Sequence, residues 1–259
     1  MKIRAIILSA LILCGISAVI MYSRAAQPQQ KSSVITQAIN DKNTPMVIKN
    51  LILKMKEQME VNDDQFPELI KEVENYTNSL ADSASVAVLH SMLAEMYQNY
   101  FQRNQWTINQ RTQLSGYIPE DIRVWTSNLF TDKIKEEIDL SLRPTALLQN
   151  TPVSKFKDIL EIGKDSQTLR PTLYEFLAFR ALDIQPTVQI YKDLIAFQNK
   201  EPNMKSVLLT ELDYLRFLYG DKRDKESFEA YMNALDELYR NLASQNYATE
   251  ILIAKIGFG

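Results

Sequence analysis

The stretch NYFQRNQWTINQRT, residues 99–112, combines aromatic side chains with two arginines and six Asn or Gln residues, and it contains no acid and no glycine. An apolar helix face runs into this stretch: Tyr97 lies just before it, and Tyr100 and Phe101 follow at i+3 and i+4 within it. This spacing favours the end of a buried helix over a binding strip. We therefore predict a helix that carries its apolar face into this stretch.

Two binding interpretations of the same stretch remain open beside the buried helix end. Arg103 and Arg111 could hold phosphates while the aromatic rings stack on nucleic-acid bases, but the formal net charge of −3 argues against a nucleic-acid surface. Trp106 and Trp125 could offer stacking faces to a sugar. In the favoured interpretation, Trp106 and Arg111 fold over the helix instead, and both tryptophans are structural.

The first 25 residues have the layout of a secretory signal peptide. Lys2 and Arg4 form a basic start, residues 5–22 are apolar and uncharged, and residues 23–25 read Ser-Arg-Ala, a small-x-small cleavage site. A stretch of about 18 apolar residues is also just long enough to span a bilayer, so an uncleaved membrane anchor is the alternative. We expect an exported protein, periplasmic or associated with the cell envelope.

The chain has one cysteine, Cys14, which lies inside the predicted signal peptide. Leu13 precedes it, whereas a lipoprotein site requires a small residue there. The mature chain would then contain no cysteine and would depend on its core rather than on disulfides. Residues 26–43 are polar and are predicted to form a leader before the first helix.

The sequence predicts an all-α fold of about ten helices arranged as antiparallel hairpins. Glycine is rare, with six residues, and apolar side chains recur at helical spacing. Residues 44–184 are predicted to form a helical domain. The predicted core comprises Leu89, Leu93, Tyr97, Tyr100, Trp106, Trp125, Leu173, Phe176, Leu177, Tyr191, Leu215 and Leu235.

Residues 185–259 are predicted to form helical hairpins of the tetratricopeptide (TPR) type, an α-solenoid. From Pro186 onward, paired helical patterns recur about every 30–40 residues, which is the range of such repeats. The final stretch, residues 247–256, lacks the polar outer face that terminal solenoid repeats carry. The chain is therefore expected to be either a truncated piece of a longer protein or a stand-alone relative of such a piece.

Residues suited to catalysis or metal binding are few. His90 is the only histidine, and it is interpreted as a partly buried helix residue, because one histidine without cysteines cannot build a His- or Cys-rich metal site. Carboxylate pairs could act as acid and base on a sugar. These pairs, which are interpreted as helix starts or solvated faces, are Asp63-Asp64, Glu120-Asp121 and Glu136-Glu137. We predict no catalytic, metal-binding or cofactor-binding residue and no cofactor.

Two motifs resemble the N-terminal helical region of large alpha-2-macroglobulin family proteins of Bacteroidetes. The first motif comprises Asn104, Trp106, Arg111 and Thr112, followed by Asp121, Ile122, Arg123 and Trp125. The second motif comprises Arg170, Pro171, Thr172, Leu173, Tyr174, Glu175, Phe176, Leu177 and Ala178. The resemblance covers most of residues 45–256.

The resemblance implies a cell-envelope protein, since full-length family members resemble protease-trapping macroglobulins with β-rich domains and, in some members, a Cys-Glu-Gln thioester. This sequence has no strand-rich region and no cysteine for a thioester after residue 14. The implied role is therefore a non-catalytic scaffold or docking domain that binds protein partners of the envelope. No nucleic-acid partner is expected. Contact with a membrane is expected only if the N-terminal segment remains uncleaved.

Two further functions remain alternatives. The first is a stand-alone periplasmic module of TPR type that binds proteins through a groove. The second is a glycan-binding or glycan-hydrolysing envelope protein, and hydrolysis would need two carboxylates facing each other across an apolar cleft. If Trp106 and Trp125 are both structural, replacing either with alanine should lower the melting temperature.

Overall fold

The structure is a computed structural model, and it describes residues 43–61, 65–112, 117–160, 165–200, 203–220, 224–242 and 248–256. The predicted signal peptide and all of the predicted polar leader except Asn43 lie outside these residues. So do Asp63 and Asp64, the first of the carboxylate pairs.

The described residues form helices and no β-strand, which confirms the all-α prediction. The helices are α1 (Thr44–Val61), α2 (Phe66–Ser79), α3 (Ser83–Arg103), α4 (Gln105–Ile108), α5 (Ser127–Ser141), α6 (Thr145–Gln149), α7 (Ser166–Leu169), α8 (Leu173–Ile184), α9 (Val188–Gln198), α10 (Met204–Tyr219), α11 (Lys225–Leu242) and α12 (Ala248–Ile256). Two 3-10 helices lie at Ile122–Val124 and Val153–Phe156.

Several helices begin at side chains that suit a helix start. The carboxylate of Asp82 accepts a hydrogen bond from the N–H of Ser85 at the start of α3, at 3.2 Å. The hydroxyl of Thr187 accepts one from the N–H of Ile190 at the start of α9, also at 3.2 Å. Such caps satisfy N–H groups that have no partner inside the helix, and each contributes about 1 kcal/mol.

The chain divides into two compact units, one ending at Leu177 and the other beginning at Ala178. This division falls inside α8, whereas the sequence places the domain boundary after residue 184. In the first unit, α3 packs against α2 and α5, and α1 packs against α2 and α3. In the second unit, consecutive helices pack pairwise from α9 to α12.

Most of the predicted core residues are buried. The buried ones are Leu89, Leu93, Tyr97, Tyr100, Trp125, Leu173, Leu177, Tyr191 and Leu235. Phe176 and Leu215 are half-buried, and Leu215 packs against a cluster formed by α10, α11 and α12. The prediction for Trp106 is wrong, because its side chain is 79% exposed.

We expect the stability of the second unit to fall in alkaline solution through Tyr191. Burial of this ring, together with the carboxylates of Asp213 and Asp183, raises the pKa of Tyr191 to about 12. An unfolded tyrosine titrates near pH 10, so the stabilisation is complete below about pH 10 and is lost as the pH rises to about 12. The loss should be about 1–2 kcal/mol after allowance for solvent screening.

Urea unfolding between pH 9 and pH 12 measures this loss. Tyr191→Phe should flatten the decline, because phenylalanine has no proton to release. Tyr117→Phe, at a site that is 61% exposed, is the matched control and should decline like the wild type. A Tyr191→Phe curve parallel to the wild type contradicts the prediction.

Candidate functional site

Five aromatic rings contact one another around Phe130, where α3, α5 and the loop between them meet. The Phe130 ring is fully buried, and its centroid lies 5.7 Å from Tyr100, 5.6 Å from Phe101 and 5.3 Å from Trp125. Tyr97 stacks on Trp125 at 5.7 Å with an interplanar angle of 5°. We call these residues the Phe130 cluster. Tyr100 and Phe101 thus continue the buried face of α3 into the stretch 99–112, as predicted.

The loop that leads into the cluster is fixed by hydrogen bonds between its own residues. Arg111 donates from Nη1 to the carbonyl oxygen of Trp125 at 2.8 Å. Trp125 donates from Nε1 to the carbonyl oxygen of Pro119 at 2.7 Å, so its one polar side-chain atom is satisfied while its ring is buried. Asn104 caps the end of α3 by donating from Nδ2 to the carbonyl oxygen of Tyr100 at 3.0 Å.

Asp121 and Arg123 lie at the surface of the same loop. The N–H of Arg123 donates to Asp121 Oδ1 at 2.9 Å and lowers the pKa of Asp121. The guanidinium of Arg123 pairs with Glu68 on α2 and lowers the pKa of that carboxyl. Because these groups are exposed, their ion pairs contribute little to stability. They form a surface contact between the loop and α2.

The second motif forms the start of α8. Thr172 and Glu175 make a capping box, in which the N–H of Thr172 donates to Glu175 Oε2 at 3.1 Å and the N–H of Glu175 donates to Thr172 Oγ1 at 3.2 Å. The carbonyl oxygen of Pro171 accepts from the N–H of Val153 at 2.9 Å.

Three further side chains of the second motif are buried or half-buried. Tyr174 is buried at 4% exposure, while Arg170 and Phe176 are half-buried. The structure thus places this motif at a helix start and in the packing beside it.

Trp106 lies outside the Phe130 cluster, contrary to the sequence prediction. The chain turns at Asn104, and α4 buries Ile108 completely. Residues two positions apart on an α-helix point about 200° apart, so burying Ile108 turns Trp106 to the solvent. Because α3 ends at Arg103, its helical spacing does not predict which side chains are buried after Asn104.

A partly buried cluster of polar and charged groups joins α2, α3 and α5. Glu137 is 2% exposed, and its two oxygens lie 2.7 Å from His90 Nδ1 and 2.8 Å from Lys133 Nζ. Lys133 also lies 3.8 Å from Glu74, which accepts a hydrogen bond from the hydroxyl of Tyr97 at 2.7 Å. We call these residues the Glu137 cluster.

Burial and ion pairing raise the pKa values of two residues in this cluster, Tyr97 and Lys133. Burial of the ring, with the hydrogen bond to Glu74, raises the pKa of Tyr97, so its hydroxyl stays protonated. Burial alone would lower the pKa of Lys133, but the hydrogen bond and charge of Glu137 raise it above the ordinary value. Lys133 therefore stays charged and contacts both Glu74 and Glu137. This arrangement is better suited to joining the helices than to acting on a sugar, which would need two accessible carboxylates.

The sequence interpretation of Glu137 as part of a solvated face is wrong. Phe130, Ile134 and Ile138 form the buried stripe of α5, and position 137 is seven residues after Phe130, which is two helical turns. The spacing therefore placed this carboxylate on the buried face. Its neighbour Glu136 is exposed, as predicted.

Among the described residues, no group of three or more His, Cys, Asp or Glu side chains is placed to hold a metal ion. A shallow, open groove of about 320 Å³ lies on the outer face of α5. Its lining residues are Asp132, Lys135, Glu136, Asp139, Leu140 and Arg143. The mixture of both charge signs gives this groove no preference for an anion or a cation.

Comparisons with family models, with curated proteins and with solved structures found no match to this chain. Within the residues that the structure describes, no helix is both long enough and apolar enough to cross a membrane.

The two tryptophans should differ sharply in their effect on stability. Trp125→Ala removes a buried ring from the Phe130 cluster, so we expect a loss of about 3–5 kcal/mol. Trp106→Ala removes an exposed ring and should change stability by less than about 0.5 kcal/mol. Urea unfolding followed by circular dichroism measures both. Equal losses for the two variants would show that the exposed position of Trp106 is incorrect.

Two adjacent glutamates on α5 test the Glu137 cluster. Glu137→Ala removes the buried carboxylate that contacts His90 and Lys133, while Lys133 keeps Glu136 and Glu74 as partners, and we expect a loss of about 1–3 kcal/mol. Glu136→Ala, at a side chain that is 58% exposed, should cost about 0.5 kcal/mol or less. Thermal and urea unfolding of the two variants give the comparison. A Glu137→Ala protein as stable as Glu136→Ala contradicts the burial of this ion pair.

Proposed function

We propose that the chain is a non-catalytic, exported helical domain that docks to a protein of the cell envelope. The observation that carries this proposal is an apolar stripe on α12. Ile251 is fully buried, whereas Leu252, Ile253 and Ile256 are 46%, 62% and 79% exposed. These three positions follow i, i+1, i+4 spacing and therefore share one face of the helix.

The stripe lies on a helix whose opposite face is already packed. Ile251 belongs to a buried cluster with Leu208, Leu212, Tyr231 and Leu235, so α12 is held on α10 and α11. Lys255 pairs with Asp236 of α11 and lies 5.9 Å from the Tyr239 ring centroid. The exposed stripe is thus a surface on a fixed helix.

A partner helix suits this stripe by its chemistry. Covering apolar surface contributes about 25 cal/mol per Å², and a contiguous apolar face on a surface helix marks an interaction site. An amphipathic helix of the partner would pack its own apolar residues into the stripe, as in helix-in-groove recognition. We propose that this is how the domain docks.

The arrangement of the second unit supports a TPR-like interpretation of the docking unit. Consecutive helices pack pairwise from α9 to α12. In helical repeats, each hairpin buries one face on the preceding hairpin and offers the other to the next. The stripe on α12 corresponds to such an offered face. A stand-alone interaction module and the N-terminal part of a macroglobulin-like protein would both use it in this way.

Export and the cell-envelope setting rest on the signal-like residues 1–25 and on the two motifs that resemble macroglobulin family proteins. The motif residues have structural positions: Arg111 and Trp125 fix a loop, and Thr172 and Glu175 start α8. We propose that they maintain the helical domain and that the surface of α12 makes the partner contact.

Site-specific photo-crosslinking in the cells that naturally make the protein tests this docking. A photoreactive amino acid replaces Ile253 in the full chain, and the matched control carries it at Lys225 of α11, whose side chain is 88% exposed. We expect a discrete protein adduct at 253 and none at 225. The adduct should disappear when Leu252→Lys is added, because a charged group on the stripe opposes burial.

An absent adduct at 253, or the same adduct from both positions, contradicts docking through α12. Circular dichroism of the Leu252→Lys protein provides the folding control. Leu252 is already partly exposed, so the helix content should not change.

A further inference from the structure

Trp106 presents an aromatic ring to solvent among neighbours that are mostly amides and hydroxyls. Its side chain is 79% exposed. Within residues 102–112, Arg103 is the one exposed charged neighbour. The other exposed neighbours carry amides or hydroxyls and are Gln102, Gln105, Thr107, Asn109, Gln110 and Thr112. Asn109 and Gln110 follow Trp106 by three and four residues in a helical stretch, and that spacing makes them its neighbours on the helix surface.

Contacts with the body of the first unit keep this surface in place. Ile108 is fully buried and anchors α4 from beneath. Asn109 Oδ1 accepts a hydrogen bond from the hydroxyl of Ser127 at 2.6 Å, which orients its amide. Arg111 is committed to the carbonyl oxygen of Trp125. The backbone that carries Trp106 and the amide of Asn109 are therefore held before any ligand arrives, and this reduces the entropy cost of binding.

The chemistry of this surface matches a neutral carbohydrate. Pyranose rings have an apolar C–H face that can lie on an aromatic ring, and their hydroxyls both donate and accept hydrogen bonds. The indole of Trp106 offers the ring, and the side-chain amides of Asn109 and Gln110 offer donors and acceptors together. We propose that the Trp106 face binds a neutral glycan.

Other ligands fit the same surface less well. A nucleic acid would need several cations for its phosphates, but Arg103 is the one exposed cation within residues 102–112, Arg111 is hydrogen-bonded within the loop, and the chain carries a net charge of −3. A protein hot spot would place the tryptophan within an apolar, desolvated pocket, whereas the surroundings here are amides and hydroxyls. The six amide- or hydroxyl-bearing neighbours of the ring therefore favour a neutral, hydroxyl-rich ligand.

Titration of the purified full chain with maltohexaose, cellohexaose and chitohexaose tests the proposal. Isothermal titration calorimetry gives the dissociation constant, and tryptophan fluorescence shows whether an indole is involved. We expect at least one of the three sugars to bind with saturation. Trp106→Ala should weaken binding about tenfold or more, and Trp106→Phe should retain part of it because it keeps an aromatic ring.

Val124→Ala is the matched control, since it removes another exposed apolar side chain, 55% exposed, from the same loop region. This variant should bind like the wild type. The proposal is overturned if none of the three sugars binds at millimolar concentration. It is also overturned if Trp106→Ala binds as the wild type does, or if acidic oligosaccharides bind while all the neutral ones fail.

These outcomes are independent of docking through α12. The Trp106 variants leave Leu252 and Ile253 untouched, and the crosslinking experiment leaves Trp106 in place. Loss of one activity without the other therefore identifies which proposal has failed.

Discussion

Packing of α5 on α3 is the contact on which the first unit depends, and Phe130 is its centre. The ring is fully buried, with four other aromatic rings around it. Aromatic pairs of this kind contribute about 0.5–1.5 kcal/mol beyond the burial of their area. Because the rings come from α3, from α5 and from the loop between them, one cluster fixes three segments at once. The described residues of this loop, 104–112 and 117–126, therefore have a defined position.

Tyr97 connects this aromatic packing with the buried charges. Its ring stacks on Trp125, its hydroxyl donates to Glu74, and Lys133 Nζ lies 5.9 Å from its centroid. Buried charges are costly unless they are paired, and removing one partner exposes the full cost. A shift of α5 along α3 would separate Glu137 from His90, a cost that apolar packing alone does not impose. The Glu137 cluster thus contributes to the alignment of the two helices, and the Phe130 cluster contributes apolar burial.

Helical spacing predicted the fold class and the buried face of α3, including Tyr97 and Tyr100, because an amphipathic helix displays its packing in its sequence. The same spacing gave a wrong prediction for Trp106, because it was extended across the turn at Asn104. A new helix begins after that turn, and its side chains do not continue the faces of α3. Glu137 was missed for the opposite reason. Its charge was given more weight than its position on the α5 stripe, although a buried carboxylate is acceptable wherever a lysine or a histidine also faces it. Lys133 lies four residues before Glu137 on α5 and is visible in the sequence of that helix, whereas the contact with His90 of α3 joins two helices and cannot be read from one helix at a time.

The two surfaces proposed for binding differ in what surrounds their apolar atoms, and this difference determines the partner. On α12, the exposed residues are aliphatic and adjacent, so water is released only when a second apolar surface covers them together. Around Trp106, a single ring is surrounded by amides that must keep hydrogen bonds when they are covered, and an apolar partner would leave them unsatisfied. A carbohydrate can both cover the apolar ring and keep the hydrogen bonds of the amides, whereas an apolar helix face can only cover the ring. The amides and hydroxyls around the ring, more than the exposed tryptophan itself, therefore carry the specificity at Trp106.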